Sequence, residues 1–270
     1  LFDNGAGSAT PGSPVPGFEH SFSRFPVPGT QARSWYLGPS ATLAGGPPAK
    51  GGQASFKWRK AVPATDFSGN TGAGGLWAAT PTYHWLQNPA GTSVSFVSAP
   101  LKSNTVVFGA GSLQMWIQAS TSDVDLQATI SEVRPDGKET FVQNGWLRAS
   151  ERKLDPRQST LLDPVPTLLA RDVRPLPKGR KTLLTVPLYY EGHSYRAGSR
   201  IRVTVSAPNG TQPIWSFAQT VPRGHGTVSV AFSRNTPSRL VLPVIPGVAV
   251  PTPLPPCPGL RGEPCRTYVP

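Results

Sequence analysis

Hydrophobic and polar positions alternate along most of the middle of the chain. Ile201, Val203 and Val205 point to one side while Arg200, Arg202 and Thr204 point to the other, the period of two of a half-buried antiparallel strand. That run belongs to residues 182–208, where two apolar runs, 183–190 and 201–205, flank a polar segment holding Glu191, His193, Arg196 and Gly198. The pattern predicts a hairpin with those four residues in its turn. Pro187 lies inside the first run, which predicts an edge strand or a bulge, because proline cannot donate to a ladder. Phe56 and Trp58 alternate with polar neighbours over 55–60. Further strands are predicted at 94–98, 105–108, 113–120, 126–134, 139–149, 214–219, 227–233 and 239–244. Arg134-Pro135-Asp136-Gly137 places proline second and glycine fourth, a type I turn that joins two of these strands. Asn144-Gly145 predicts a bulge in the second of them. About ten short strands with almost no helical periodicity indicate an all-β fold, a jelly-roll β-sandwich.

Composition divides the chain. Its 28 glycines and 32 prolines exceed the usual share, and most of the excess lies in residues 5–52 and 243–270. We therefore expect a Pro/Gly-rich arm or linker over 1–34, the sandwich over 35–245 and a Pro-rich tail over 246–270. Phe18, Phe22, Phe25, Trp35 and Tyr36 punctuate the N-terminal stretch. So many rings argue against a disordered linker and for an extended arm wrapped on a surface. Residues 66–87 form a long loop in which glycines precede Leu76, Trp77, Tyr83, His84 and Trp85. It reads either as a lid over the domain's own core or as a pocket or interface rim.

The net charge of +12 comes from short clusters, among them Lys57/Arg59/Lys60 and Arg148/Arg152/Lys153/Arg157. None is a long tract or interleaves aromatics in a binding motif, so these read as solvated faces or as contacts for an acidic partner domain, with no nucleic acid expected. Cys257 and Cys265 are the two cysteines, and their spacing suits a small disulfide loop. Exported proteins commonly carry such loops, which gives an expectation of a secreted, extracellular setting. No apolar run approaches the ~18 residues of a membrane helix, and no membrane association is expected. The opening at Leu1, without an initiating Met or a signal-peptide pattern, reads as a piece of something longer.

Catalytic patterns are missing. No G-x-S-x-G elbow occurs, and His20, His84, His193 and His225 form no HxH or HExxH pair. Asp123 and Asp125 could bind calcium in principle, although a solvated strand end is the plainer reading. His193 beside Glu191 is the most tempting catalyst, against the plainer reading of a hydrogen-bonded turn histidine. No cofactor or metal is expected, and the chain alone is not expected to be an enzyme.

The order of certain residues resembles a known family. Ser98-Ala99-Pro100-Leu101 precedes a core strand, and Asp123 and Asp125 lead into the next. Pro135-Asp136-Gly137, Gly145 and Arg148 follow, and then the stretch Gly192-His193-Ser194-Tyr195-Arg196-Ala197-Gly198-Ser199-Arg200-Ile201-Arg202-Val203. Over most of 35–245 this resembles the C-terminal β domain of serine hydrolases of the X-prolyl dipeptidyl-peptidase and cocaine-esterase type. Ser199 departs from the pattern, since the family often carries another His there. The resemblance implies a galactose-binding-like jelly roll appended to an α/β-hydrolase domain, which holds the Ser–His–Asp triad and is absent from this chain. It implies a non-catalytic accessory domain that stabilises its partner and helps wall the substrate pocket. The expected partner is that hydrolase domain, in cis or co-purifying; a homo-oligomer is also compatible. By the same resemblance Gly75, Leu76 and Trp77 stand nearest the pocket, with Tyr83, His84 and Trp85 behind. Lid and interface packing is an equal reading of those residues. The rival function is a carbohydrate- or surface-binding module that stacks Trp77, Tyr83 and Trp85 on sugar rings. Whether the parent cleaves peptides or esters is set mainly in the absent domain.

Overall fold

In the computed structural model, residues 7–10, 12–13, 15–59, 65–66, 84–208, 224–259 and 263–270 are described. They form strands joined by turns and three short 3-10 segments. In chain order the strands are β1 (Gln31–Gly38), β2 (Thr42–Ala44), β3 (Gly52–Arg59), β4 (Thr65–Asp66), β5 (His84–Trp85), β6 (Ser93–Ser98) and β7 (Thr105–Ala119). There follow β8 (Asp125–Val133), β9 (Lys138–Arg148), β10 (Thr182–Tyr195), β11 (Arg200–Ser206), β12 (His225–Phe232), β13 (Arg239–Val244) and β14 (Cys265–Thr267). The predicted strand at 214–219 lies outside the described residues.

One sheet runs β14-β9-β8-β11-β6-β2-β1-β13-β7-β12-β3, and β10 pairs with the free edge of β7. The pairing is antiparallel except for the short β2–β6 step, where Thr42 faces Val97. The sheet folds over on itself into a sandwich. Trp58 of β3 donates its indole N–H to the Asp125 carbonyl at the start of β8, and Phe96 of β6 meets Phe232 of β12 edge-on at 6.1 Å. Between the layers lies one core that includes Leu113, Met115, Ile117, Leu126, Ile130 and Ile201, all withdrawn from water. Apolar burial of this kind, at about 25 cal/mol per Å2, is the main stabilising term.

Several expectations hold in detail. Phe56 and Trp58 are buried on β3 while Lys57 and Arg59 are exposed. The Arg134–Gly137 turn closes β8 onto β9, its Gly137 amide bonding the Arg134 carbonyl at 3.2 Å with Gly137 at φ +77°. That is a type I turn followed by a left-handed residue, which favours glycine. Pro187 lies on the edge strand β10, facing Ser112 of β7, and a bulge follows between Leu188 and Glu191.

Other expectations are corrected. Residues 182–208 are not a hairpin: β10 pairs with β7, whereas β11 pairs with β6 and β8 in the other layer. The chain between them turns a corner of the sandwich, so Glu191 and His193 stand within β10 and not in a turn. Nor is β11 half-buried, because every residue after Arg200 is covered on both faces. The two strands predicted over 105–120 are one continuous β7. The β9 bulge falls at Val142, between the Gln143–Ile130 and Phe141–Ser131 pairs, and not at Asn144–Gly145. Gly145 has a different reason to be glycine. A Cβ there would stand 2.0 Å from the Pro187 carbonyl oxygen, where β10 crosses β9.

The C-terminal residues run back across the outer face of β8 and β9. β14 extends the β9 edge, and Cys257 and Cys265 are joined. The Arg134 guanidinium donates to the Pro255 carbonyl at 2.7 Å, Arg196 donates to the Thr252 hydroxyl at 2.7 Å, and Arg266 bonds Glu139 at 2.8 Å. This strap covers a layer of buried charge.

Candidate functional site

An apolar opening lies where the arm meets the β10 bulge. Proline and glycine keep residues 25–29 out of regular structure, so this stretch lies along the sheet instead of joining it. Phe22 stacks on Phe108 of β7 with centroids 5.6 Å apart, and Phe25 meets the same ring edge-on at 5.9 Å. The bulge inserts one extra residue into β10 and breaks its alternation, so that Tyr189 and Tyr190 both turn outward. Tyr189 leans on Trp146 at 5.4 Å, and Tyr190 tilts against Phe25 at 5.6 Å. The result is a groove of about 350 Å3 bounded by Phe25, Phe108, Tyr190, Leu162 and Pro243. Phe25, Tyr189 and Tyr190 remain 52%, 59% and 56% exposed. Rings of that size left half in water mark a surface that gains from being covered.

One polar pair crosses the groove: the Tyr190 hydroxyl donates to Asp163 Oδ2 at 2.8 Å. That bond, and then partial burial, raises the Tyr190 pKa. Gln143 fixes the bulge from beneath by donating its amide to the Tyr190 carbonyl at 2.9 Å. The groove holds no nucleophile paired with a base among the described residues that line it. Among the described residues no three His, Cys, Asp or Glu side chains are placed to hold a metal. This arrangement is suited to binding an apolar partner.

The residues singled out from sequence are placed differently. Leu76, Trp77 and Tyr83 lie outside the described residues. His84 pairs through its backbone with Asp66, in the two-stranded β4–β5 ribbon. Trp85 is buried, edge-on to Phe141 at 5.9 Å and beneath the Arg266 guanidinium at 3.7 Å. It packs on the sandwich's own face and offers no ring to a sugar. Asp123 and Asp125 are not a solvated strand end. Asp123 caps Ser150, and Asp125 is fully buried with the Arg148 guanidinium on its Oδ1 at 2.9 Å. Much of the basic charge is likewise engaged, with Lys153 on Asp172 at 2.6 Å and Arg152 on backbone carbonyls.

His193 is sealed in the interior and is not a catalyst. Its Nε2 lies 2.9 Å from Glu132 of β8, and its Nδ1 lies 3.4 Å from Glu263 of the strap. Carboxylates only accept, so both ring nitrogens donate when both carboxylates are charged, and the ring is then an imidazolium. Burial alone would lower the His193 pKa, but Glu263 and Glu132 outweigh it and push it up to about 10. Burial works upward on Glu132 too, yet the His193 bond and charge hold that carboxyl below its usual value. Glu191 has no such bond, and burial pushes it up to about 8 against the attraction of His193.

The groove residues were legible only in part. Phe22 and Phe25 stood out as aromatic anchors, but nothing local tied them to Tyr190 or Asp163. The consecutive tyrosines after Pro187 on an edge strand were the available signal.

Comparison with known proteins follows the same lines. A Mycobacterium bovis protein provisionally named as a serine esterase is 30% identical over 154 residues, covering 56% of this chain and 24% of that protein. A Mycobacterium tuberculosis counterpart matches to the same extent. The chain thus spans about a quarter of the curated relatives it matches. Among solved structures, a CocE/NonD family hydrolase from Staphylococcus aureus superposes with a TM-score of 0.63 at 19% identity, over 84% of this chain and 39% of that one. An aminopeptidase from a marine-sediment Thaumarchaeota archaeon superposes at 0.62 and 18%, over 84% and 38%. At such identities these two establish the fold. The family model for the X-Pro dipeptidyl-peptidase C-terminal non-catalytic domain matches residues 3–241. The chain belongs to that family.

Proposed function

We propose that this chain is the accessory β domain of a serine hydrolase of the X-prolyl dipeptidyl-peptidase or acyl-esterase type. Its aromatic groove docks on the α/β-hydrolase domain, stabilises it and helps wall its substrate pocket. The carrying observation is the half-exposed pair Phe25 and Tyr190 lining an open apolar groove, with half-exposed Tyr189 beside Tyr190 in the chain, in a non-catalytic domain. The arm's anchor at Phe22 and Phe25 supports the same face, because it brings the N-terminal segment past the groove. The closed Cys257–Cys265 ring supports a secreted setting.

The test is the intact polypeptide from its native source, measured by mass and labelled with a fluorophosphonate serine probe. We expect a larger labelled species that contains or co-purifies with this chain, and an inert isolated domain. An unlabelled chain of this size would overturn the proposal, as would ester turnover by the isolated chain that His193→Ala abolishes.

A further inference from the structure

The buried charge beneath the strap carries an inference of its own, independent of the proposed enzyme. The family match ends at residue 241, so the strap lies beyond the matched stretch. It touches three separate parts of the molecule. Glu263 reaches His193 in the core, Arg266 covers Trp85 and donates to the Leu86 carbonyl, and the Gly259 carbonyl accepts from Gly12 of the arm at 2.9 Å.

Three carboxylates, Glu132, Glu191 and Glu263, act on the His193 ring. Two of these carboxylates bond it, whereas Glu191 is 93% buried with neither oxygen meeting a hydrogen-bond partner among the described residues. A bare carboxylate in that position is costly, so the neutral acid is the form that fits. The titratable groups facing Glu191 are His193 and Tyr195 on its own strand and Glu263 on the strap. Glu132 bonds the far side of His193 and is itself stabilised by Arg134, and the opposite β7 positions, Phe108 and Gly109, carry no charge.

We propose that residues 251–259 and 263–270 act as a proton-operated strap: while Glu191 keeps its proton the strap stays bonded to His193 through Glu263, and its undocking admits water to Glu191 and releases that proton. His193 remains bonded to Glu132 in both states. Because the strap also holds the arm and the chain at Trp85–Leu86, undocking loosens all three together.

The sign follows from linkage. The docked state binds Glu191's proton up to about pH 8, and a hydrated Glu191 loses it near the ordinary glutamate value of about 4.3. Undocking is therefore favoured as pH rises through that window. The measurement is hydrogen exchange on the full 270-residue chain with its disulfide intact. It follows protection factors of Phe141, whose amide bonds Pro264, and of Tyr268, whose amide bonds Gly137, against amides of β7 and β13. Strap protection should fall about tenfold per pH unit between about pH 5 and 8. In Glu191→Gln and Glu191→Leu it should not depend on pH in that range. A flat wild-type profile overturns the proposal even if neither variant folds. An unchanged slope in the variants assigns the proton elsewhere and also overturns it.

Discussion

Replacing His193 by Gln removes a cation bonded to two carboxylates, the buried Glu132 and the part-buried Glu263. Glu132 lies at 0% exposure and would be left against Glu263 with no opposite charge between them. Breaking one partner out of a buried ion pair costs about 3–5 kcal/mol, a large part of the roughly 5–15 kcal/mol that holds a domain together. The raised imidazole gives the same scale: a rise from 6.5 to about 10, at 1.36 kcal/mol per unit, corresponds to roughly 5 kcal/mol. His193 binds its proton more tightly when folded, so its contribution is complete below pH 6.5 and is lost as pH rises towards 10. Glu191, raised from 4.5 to about 8, acts in the same direction at lower pH. Glu132 is depressed, so its contribution is present above 4.5 and lost on acidification. The domain should therefore be most stable at mildly acidic pH, between the glutamate range and 6.5. Urea unfolding followed by tryptophan fluorescence at pH 6, 7.5 and 9 tests this. Wild type should lose stability at each step, and His193→Gln should start several kcal/mol lower with a shallower decline. The double replacement His193→Met/Glu132→Met should recover much of the loss, because no unpaired charge remains on β8. A single variant within about 1 kcal/mol of wild type at pH 6 would refute the reasoning. So would wild-type stability that rises from pH 6 to 9.

Three further predictions come from other parts of the molecule. Gly145→Ala sets a methyl 2.0 Å from the Pro187 carbonyl oxygen; β10 must lift off β9, and the melting temperature should fall with a loss of about 3 kcal/mol or more. Cys257→Ser/Cys265→Ser opens a ring of separation 8, for which chain entropy gives about 2.5 kcal/mol; proteolysis should then cut the 251–270 strap before the sandwich, and simultaneous cleavage of both would count against a separate strap. Phe25→Ser/Tyr190→Ser removes two rings that are half in water, so the isolated chain should keep its unfolding midpoint within about 1 kcal/mol. The same pair in the parent polypeptide should weaken cohesion with the hydrolase domain, read as separation of one thermal transition into two.

The sequence was most informative where local chemistry alone decides the structure. Pro135-Asp136-Gly137 makes its turn because proline and a left-handed glycine suffice, whatever the rest of the chain does. It was least informative where covering segments arrive from a distance. Arg202 and Thr204 looked like a solvent face because they are polar, yet both are buried, Arg202 on Glu139 and Thr204 on Ser95. What covers Arg202 includes Tyr268, from the strap. The same cause undid the reading of His193. A polar cluster between two apolar runs looks like an exposed turn when only its neighbours are considered. It becomes a buried ionic layer only because Glu263 lies across it, seventy residues later in the chain. A jelly roll or similar sandwich was predicted from strands that a sandwich of any topology would show, so period and turns alone could not say which layer each strand joins. That choice is made by contacts such as Gly145 against Pro187. There a missing Cβ, read as a local bulge, records instead that two strands from different parts of the chain cross at backbone distance.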